Sequence, residues 1–450
     1  MPDSDPVAVP GPDDSRGHVA LISETFFPHP HVSSVRVTHF ARMLTAAGWD
    51  VTVITRDYGH AATRAEMERE VGPLRGLIRL RSNGKLAPPY REAGSRVDTG
   101  AERPAAPARG GGGLRRRAIG LISRLGLTRM LVPDAQLISW RRCLPAIRKA
   151  IDDASPDVIL TTSPQHSIHM VGTRLKRDLS IRWVADYRDP HLLDERFRPR
   201  GVAALTLPLH RRFERRIYAN ADAILHAIPL HARWARMAYP QARSKIRILR
   251  HVIPQSLSKA TPVASGHGPR SIRVVGTFGP DLLPLLCGAV ADLNAAADNP
   301  GFELVFVGKP PEISPDDRER LGERLRVLGR VSHDEARKLV SGADVLVNGL
   351  GADRSRMILV SSKLIEFAAS GRPIIEINPT RPNRQLLRLL GDAAVLHQPN
   401  RDALREAIVA ALSRAAPLAE GTREAFEDLY GTHRHLMILE SALRSACEAA

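Results

Sequence analysis

Three absences narrow the reading of this chain. Cysteine is scarce: Cys143, Cys287 and Cys447 are the only three, too far apart for a metal-binding spacing or a disulfide framework, which suits a reducing cytoplasm. Apolar runs are short, none approaching the ~20 residues of a membrane-crossing helix. Aromatics make up only 4% of the chain, so stacking platforms for single-stranded nucleic acid are few. The opening MPDSDPVAVPGPDDSRG is acidic and proline-rich, with neither a basic start nor an apolar centre, and does not read as a signal peptide. No sequence repeat is evident.

What is present is charge. Charged residues are 25% and hydrophobic ones 43%, the balance of a soluble globular protein. At 450 residues the chain exceeds one ordinary core, so two domains with tails are expected. Residues 1–250 hold 41 Lys+Arg against 24 Asp+Glu, and residues 251–450 hold 24 against 24, so the whole excess of +17 lies in the first half. A basic half suits nucleic acid, an anionic membrane surface or a polyanionic substrate. No helix-turn-helix, zinc spacing or aromatic RNA motif accompanies the charge, and a nucleic-acid partner is not expected. The arginine excess over lysine also fits genome composition.

The pattern along the chain is that of α/β units. After a tail over 1–17, HVALIS reads as a buried strand, ETFFPHPHVSSVR as a loop, the stretch from Ser34 as a helix and WDVTVIT as the next strand. In parallel sheets, ligands collect beyond the carboxyl ends of strands, which places Glu24 to Arg36 at a mouth. Residues 86–113, ending in GGGG, read as a flexible insertion. The basic amphipathic stretch from Leu114 to Ile151 suits either an anionic membrane surface or a helix packed on the domain. PDVILT and IRWVA are further strands, followed by the loops TSPQHSIHM and DYRDPHLLDERF. His166 and His169 lack the further ligands a metal pair would need. The first domain is expected over 18–255, the second over 256–424, and a closing helix over 425–450 that packs back on the first.

The second domain holds the most informative stretch, VSSKLIEFAASGRPII. Ser361 and Ser362 suit a helix cap, whose free N–H groups and dipole favour phosphate. Lys363 adds a full charge in the first turn, Glu366 lies one turn on, and Gly371 ends the helix. Phosphate at a helix end with a carboxylate for sugar hydroxyls is the layout of a nucleotide-sugar site. An ordinary helix–strand unit with a charged face has the same pattern.

Several stretches, in order, resemble glycosyltransferase family 4: SETFFPHPHVSSVRVTHFARMLTAAGWDVTVIT, PDAQLISW, PDVILTTSPQHS, ADYRDP, RRFERRIYANADAIL, VGTFGP, GRVSHDEARKLVSGADVLV and SSKLIEFAASGRPII. The resemblance implies a GT-B fold, two Rossmann-like parallel-sheet domains facing across a cleft. It also implies transfer of a sugar from a nucleotide-diphosphate sugar to a lipid-linked or glycan acceptor, with retention and without metal or other cofactor. A cytoplasmic enzyme, peripheral at the inner membrane face through its basic half, would fit. By the same resemblance Asp189 and His166 would act at the reacting centre. Gly276, Thr277, Ser362, Lys363 and Glu366 would bind the donor. Ser33, Ser34, Arg36 and Ser163 would lie on the acceptor side. Relatives carry an earlier glutamate where this chain has Ile358, and an Arg and a Lys after the donor-loop Gly where GTFGPDLLPLL has neither, so Arg354 and Arg356 are candidate substitutes. A non-catalytic nucleotide-sugar or glycan-binding protein of the same fold is the alternative.

Overall fold

A computed structural model describes residues 16–92, 131–192, 198–199, 201–252, 269–296, 301–310, 312–349, 361–390, 394–396, 399–413 and 420–448. The chain divides into two compact units. Unit 1 comprises Met1–Arg250 with His435–Ala450, and unit 2 comprises His251–Arg434.

Unit 1 is built on β1 (His18–Ser23), α1 (Val32–Ala46), β2 (Asp50–Arg56), α2 (Arg64–Val71), β3 (Gly76–Leu80) and β4 (Leu86–Ala87). It continues through α3 (Leu137–Ala154), β5 (Val158–Thr162), α4 (Ile168–Leu179), β6 (Arg182–Tyr187), α5 (Leu207–Asn220), β7 (Ala223–His226), α6 (Pro229–Ala238) and β8 (Ile246–Ile248). The eight strands run in the order β4-β3-β2-β1-β5-β6-β7-β8, all parallel except the β3–β4 pair. Strands covered on both faces need apolar residues on both, and β1 is buried at every position.

Two expectations change here. Leu86–Ala87, the start of the stretch read as an insertion, pairs with β3, while 93–130 lie outside the described residues. In the basic stretch, α3 turns Trp140, Cys143, Ile147 and Ile151 into the core. The apolar face of this helix is therefore covered by its own unit and unavailable to a membrane.

Unit 2 runs β9 (Arg270–Val275), α7 (Leu283–Ala295), β10 (Phe302–Val307), α8 (Pro315–Leu321), β11 (Leu325–Gly329), α9 (His333–Ser341) and β12 (Val345–Gly349). It then runs α10 (Ser362–Ser370), β13 (Ile374–Ile377), α11 (Arg381–Leu390), β14 (Ala394–Leu396), α12 (Arg401–Ser413) and α13 (Glu420–Tyr430). Its parallel sheet has the order β11-β10-β9-β12-β13-β14. This is a doubly wound order that reverses between β9 and β12, where such sheets bind ligands. In unit 1 the reversal lies between β1 and β5.

The final helix, α14 (Thr432–Glu448), belongs mostly to unit 1. Glu440 Oε1 accepts from Arg16 and from the Trp49 indole, each at 2.9 Å. The closing helix expected over 425–450 is thus two helices that meet at Gly431. A Cβ on Gly431 would lie 2.4 Å from the Glu427 carbonyl oxygen, so the close turn requires glycine.

Candidate functional site

In unit 2 the structure brings the predicted loop and helix end together. Gly276 follows β9 with φ of 81°. The Lys363 ammonium lies directly over its α-carbon, in the space a side chain on residue 276 would take. The next strand is equally bare, because a Cβ on Gly308 would come within 3.2 Å of the Gly276 α-carbon. Thr277 is exposed. The result is a patch of uncovered backbone at the sheet reversal, beneath one cation.

Ser361 caps α10, its Oγ accepting from the Leu364 N–H at 3.4 Å, and Ser362 is the first helical residue. Gly371 closes the helix in the left-handed region, with φ of 67°. Lys363 therefore projects from the first turn, where free N–H groups and the helix dipole favour an anion. Glu366 is half-buried one turn on. Burial pushes its carboxyl above the usual range, while the charges of Arg337 and Lys363 draw it back. Arg354 and Arg356 lie outside the described residues.

A residue that sequence reading missed supports this helix end. Glu376, 1% exposed on β13, accepts from Asn348 Nδ2 at 2.7 Å and from Asn383 Nδ2 at 2.8 Å. Asn383 Oδ1 in turn accepts from the Ser361 N–H at 3.1 Å. The cap of α10 is thus tied through α11 to a carboxylate at the strand end. Burial outweighs the two amide donors and pushes Glu376 up to about 7. A charged residue inside the apolar strand IIEI was the available signal.

In unit 1 the predicted acceptor-side residues gather near the reversal between β1 and β5, with their side chains already engaged. The helix α1 begins at Val32, earlier than the spacing implies, because the His31 side chain accepts from the Ser33 N–H and caps it. Ser33 and Ser34 are therefore first-turn helix residues rather than loop residues. Ser33 Oγ is 2.6 Å from Thr25 Oγ1, and Ser34 Oγ donates to the His29 carbonyl at 2.8 Å. Arg36 is 5% exposed and grips Asp186 with two bonds of 2.8 and 2.7 Å. It also donates to the carbonyls of Leu249 and Arg250, each at 2.8 Å. Thr162 Oγ1 completes the cluster at 2.6 Å from Asp186. Arg36 is therefore an internal strut joining α1 to the ends of β6 and β8.

Ser163 is buried, its Oγ accepting from the Arg188 N–H at 3.3 Å. Asp189 is half-buried just beyond β6. His166 is 1% exposed, its ring stacked on His191 at 4.6 Å between centroids. His191 Nε2 is 3.1 Å from His210 Nδ1. Deeper in the unit, His226 Nδ1 meets His231 Nδ1 at 3.0 Å and His226 Nε2 meets the Tyr218 hydroxyl at 3.2 Å. Burial lowers His169 and His226 to about 3 and holds His191 and His231 well below the ordinary value. Burial also pushes Glu214 up to about 7. Among the described residues, no group of three or more His, Cys, Asp or Glu is placed to hold a metal ion.

Residues 33–250 match the glycosyl transferase 4-like domain. No curated protein matches the sequence. Among solved structures, sucrose-phosphate synthase from Thermosynechococcus elongatus aligns over 97% of this chain and 100% of its own, with TM-score 0.62 and 18% identity. HepE from Anabaena, in complex with UDP, aligns over 95% of this chain and 99% of its own, with TM-score 0.56 and 12% identity. UDP-GlcNAc 2-epimerase from Methanocaldococcus jannaschii aligns over 94% and 99%, with TM-score 0.53 and 11% identity. At these identities the likeness is one of fold. The chain has the GT-B fold, and its residues 33–250 are similar to the glycosyl transferase 4-like domain.

Proposed function

We propose that the protein is a glycosyltransferase that takes a sugar from a nucleotide-diphosphate sugar, with unit 2 holding the donor. The observation that carries this reading is the seat of Lys363 over Gly276 at the first turn of α10. A diphosphate there would meet an ammonium, free helix N–H groups and bare strand-end backbone. Glu366, one turn on, would accept hydrogen bonds from ribose hydroxyls. These fixed dipoles and one cation would stabilise the departing diphosphate as its charge develops, without a metal. The resemblance further favours retention and a lipid-linked or glycan acceptor held by unit 1. Glu366→Ala should weaken binding of a UDP-sugar panel at least about tenfold, the scale of a lost bond to a charged group, by calorimetry. Unchanged affinity would remove the donor assignment.

The basic first half also supports a peripheral site at the inner membrane face. Co-sedimentation with anionic vesicles should then exceed that with neutral ones and fall as salt rises; equal sedimentation would refute it. A second reading, nucleotide-sugar binding without transfer, is favoured by the burial of His166 and by the engagement of Arg36 with Asp186. Single-turnover assays separate the two, since a binder that neither transfers nor hydrolyses its ligand fits the second.

A further inference from the structure

Two parts of the candidate donor site lead back to one buried carboxylate. Glu376 stands directly opposite Asn348 in the β12–β13 pair. Asn348 and Asn383 are buried, and each gives its amide to a different oxygen of Glu376. One arm leads to the loop after β9, because the carbonyl of Gly349, next to Asn348, accepts from the Gly279 N–H at 2.9 Å. The other leads to α10, where Asn383 Oδ1 accepts from the Ser361 N–H and Ser361 Oγ accepts from the Leu364 N–H. Asn383 is itself fixed, its own N–H donating to Thr380 Oγ1 at 3.1 Å.

An asparagine side chain has an oxygen on one side and an NH2 on the other, so its partners decide which way it faces. A carboxyl group accepting on both oxygens turns both amides NH2-inward, and Asn383 then presents its oxygen to Ser361. An apolar residue at 376 would leave Asn383 free to reverse and set its NH2 against the Ser361 N–H. The flanking strands β12 and β14 bring no titratable side chain to Glu376. The helix α10 carries Lys363 and Glu366, and α11 carries Arg381, Arg384 and Arg388; among the described residues none of these five is bonded to Glu376. When ionised it therefore has no paired cation, and a diphosphate at the first turn of α10 would add like charge at the same end of the sheet. We propose that Glu376 is a positioning residue of the donor site: it orients the two amides that anchor the end of β12 and the cap of α10, and it takes up a proton from solvent when the diphosphate binds. The role in donor binding rests on the transferase reading above.

The test is calorimetry on the full-length protein with a panel of UDP-, GDP- and dTDP-sugars, whose diphosphates do not titrate near neutral pH. Burial already brings the Glu376 carboxyl up to about 7, so a further rise on binding is read close to neutrality. Wild-type affinity should fall about tenfold from pH 6 to pH 8.5. At pH 7.5 the binding heats in HEPES and in Tris, which differ in ionisation enthalpy, should show uptake of about half a proton per donor. In Glu376→Gln both the pH slope and the uptake should vanish. Glu376→Ala, which releases both amides, should weaken binding at every pH, with circular dichroism confirming the fold. A residue that served the fold alone would lower affinity without moving protons. Donor binding by the wild type with no uptake, or an uptake that Glu376→Gln retains, would overturn the proposal, as would a folded Glu376→Ala protein of undiminished affinity. A wild type that binds no member of the panel would refute the donor reading and this proposal together, a failure visible before any variant is made.

Discussion

Glu376 offers the sharpest test of how unit 2 holds its helix end. Its carboxyl rises from an ordinary 4.5 to about 7 on folding. The folded state therefore keeps its proton over a range where the unfolded state has lost it. The contribution to stability is full below pH 4.5 and is lost as pH rises through 7. A rise of that size corresponds to about 3 kcal/mol, of which roughly 2.5 kcal/mol falls between pH 5 and 8. The probe should be local, because all four tryptophans, Trp49, Trp140, Trp183 and Trp234, lie in unit 1. The Ser361 amide, bonded to Asn383 Oδ1, is such a probe. Its protection from hydrogen exchange, corrected for intrinsic rate, should drop nearly a hundredfold from pH 5 to pH 8. In Glu376→Gln this slope should vanish. The substituted side chain can accept from Asn383, and its own amide then faces Asn348, which must turn its oxygen inward, at a cost of about 1 kcal/mol. Glu376→Ala strands both asparagine amides and should cost about 2–5 kcal/mol at every pH. A Glu376→Gln protein that keeps the wild-type slope refutes the assignment of the proton to Glu376.

Two buried histidines of unit 1 should respond to pH in the opposite sense. His169 and His226 are lowered by burial to about 3, so their share of stability is intact above pH 6.5 and is lost as pH falls towards 3. Tryptophan fluorescence should report unfolding of unit 1 at acid pH, with the midpoint moved to lower pH in His226→Gln; an unmoved midpoint would contradict the burial argument. Asp186→Ala, which leaves the Arg36 guanidinium without its carboxylate, should destabilise unit 1 by about 3–5 kcal/mol in urea unfolding followed by the same fluorescence. A loss under about 1 kcal/mol would mean that Arg36 finds solvent and that its burial is incidental.

The fold was legible where physics is local. Continuous apolar runs such as VALI, VILT and LVFV can only be strands covered on both faces, and alternation with helical spacing made the sheets parallel. Ser361 and Gly371 announced the ends of α10 by chemistry that needs no tertiary context. Less was seen where a segment is short or polar. The helix α2 has a full capping box, Thr63 with Glu66, but its RAEMEREV shows little apolar periodicity. The helix α11 was passed over because RPNRQLLRLL offers only its three buried leucines, Leu386, Leu387 and Leu390, as a signal.

The candidate site divides along the same line. Sequence can pair Gly276 with Lys363 by analogy, but only the folded chain shows that the ammonium sits on the glycine, whose φ of 81° disfavours a side chain there. Arg36 shows the converse. As a basic residue beside a strand-end loop it looked like a ligand for an acceptor, and its partner Asp186 lies 150 positions away. No local rule can report that such a charge is already neutralised inside the protein. Its burial with Asp186 is what makes it a strut, since an isolated guanidinium at that depth would be strongly unfavourable. The same reasoning, run in reverse, singles out Arg56. It is as deeply buried as Arg36, yet its nearest carboxylate, Glu24, stands 3.9 Å off and leaves two of its nitrogens unbonded. Two arginines of equal burial thus differ in one respect, the completeness of their partners. That difference, invisible in composition or motif, separates an arginine gripped by a carboxylate from one packed over the rings of Tyr58 and Trp140.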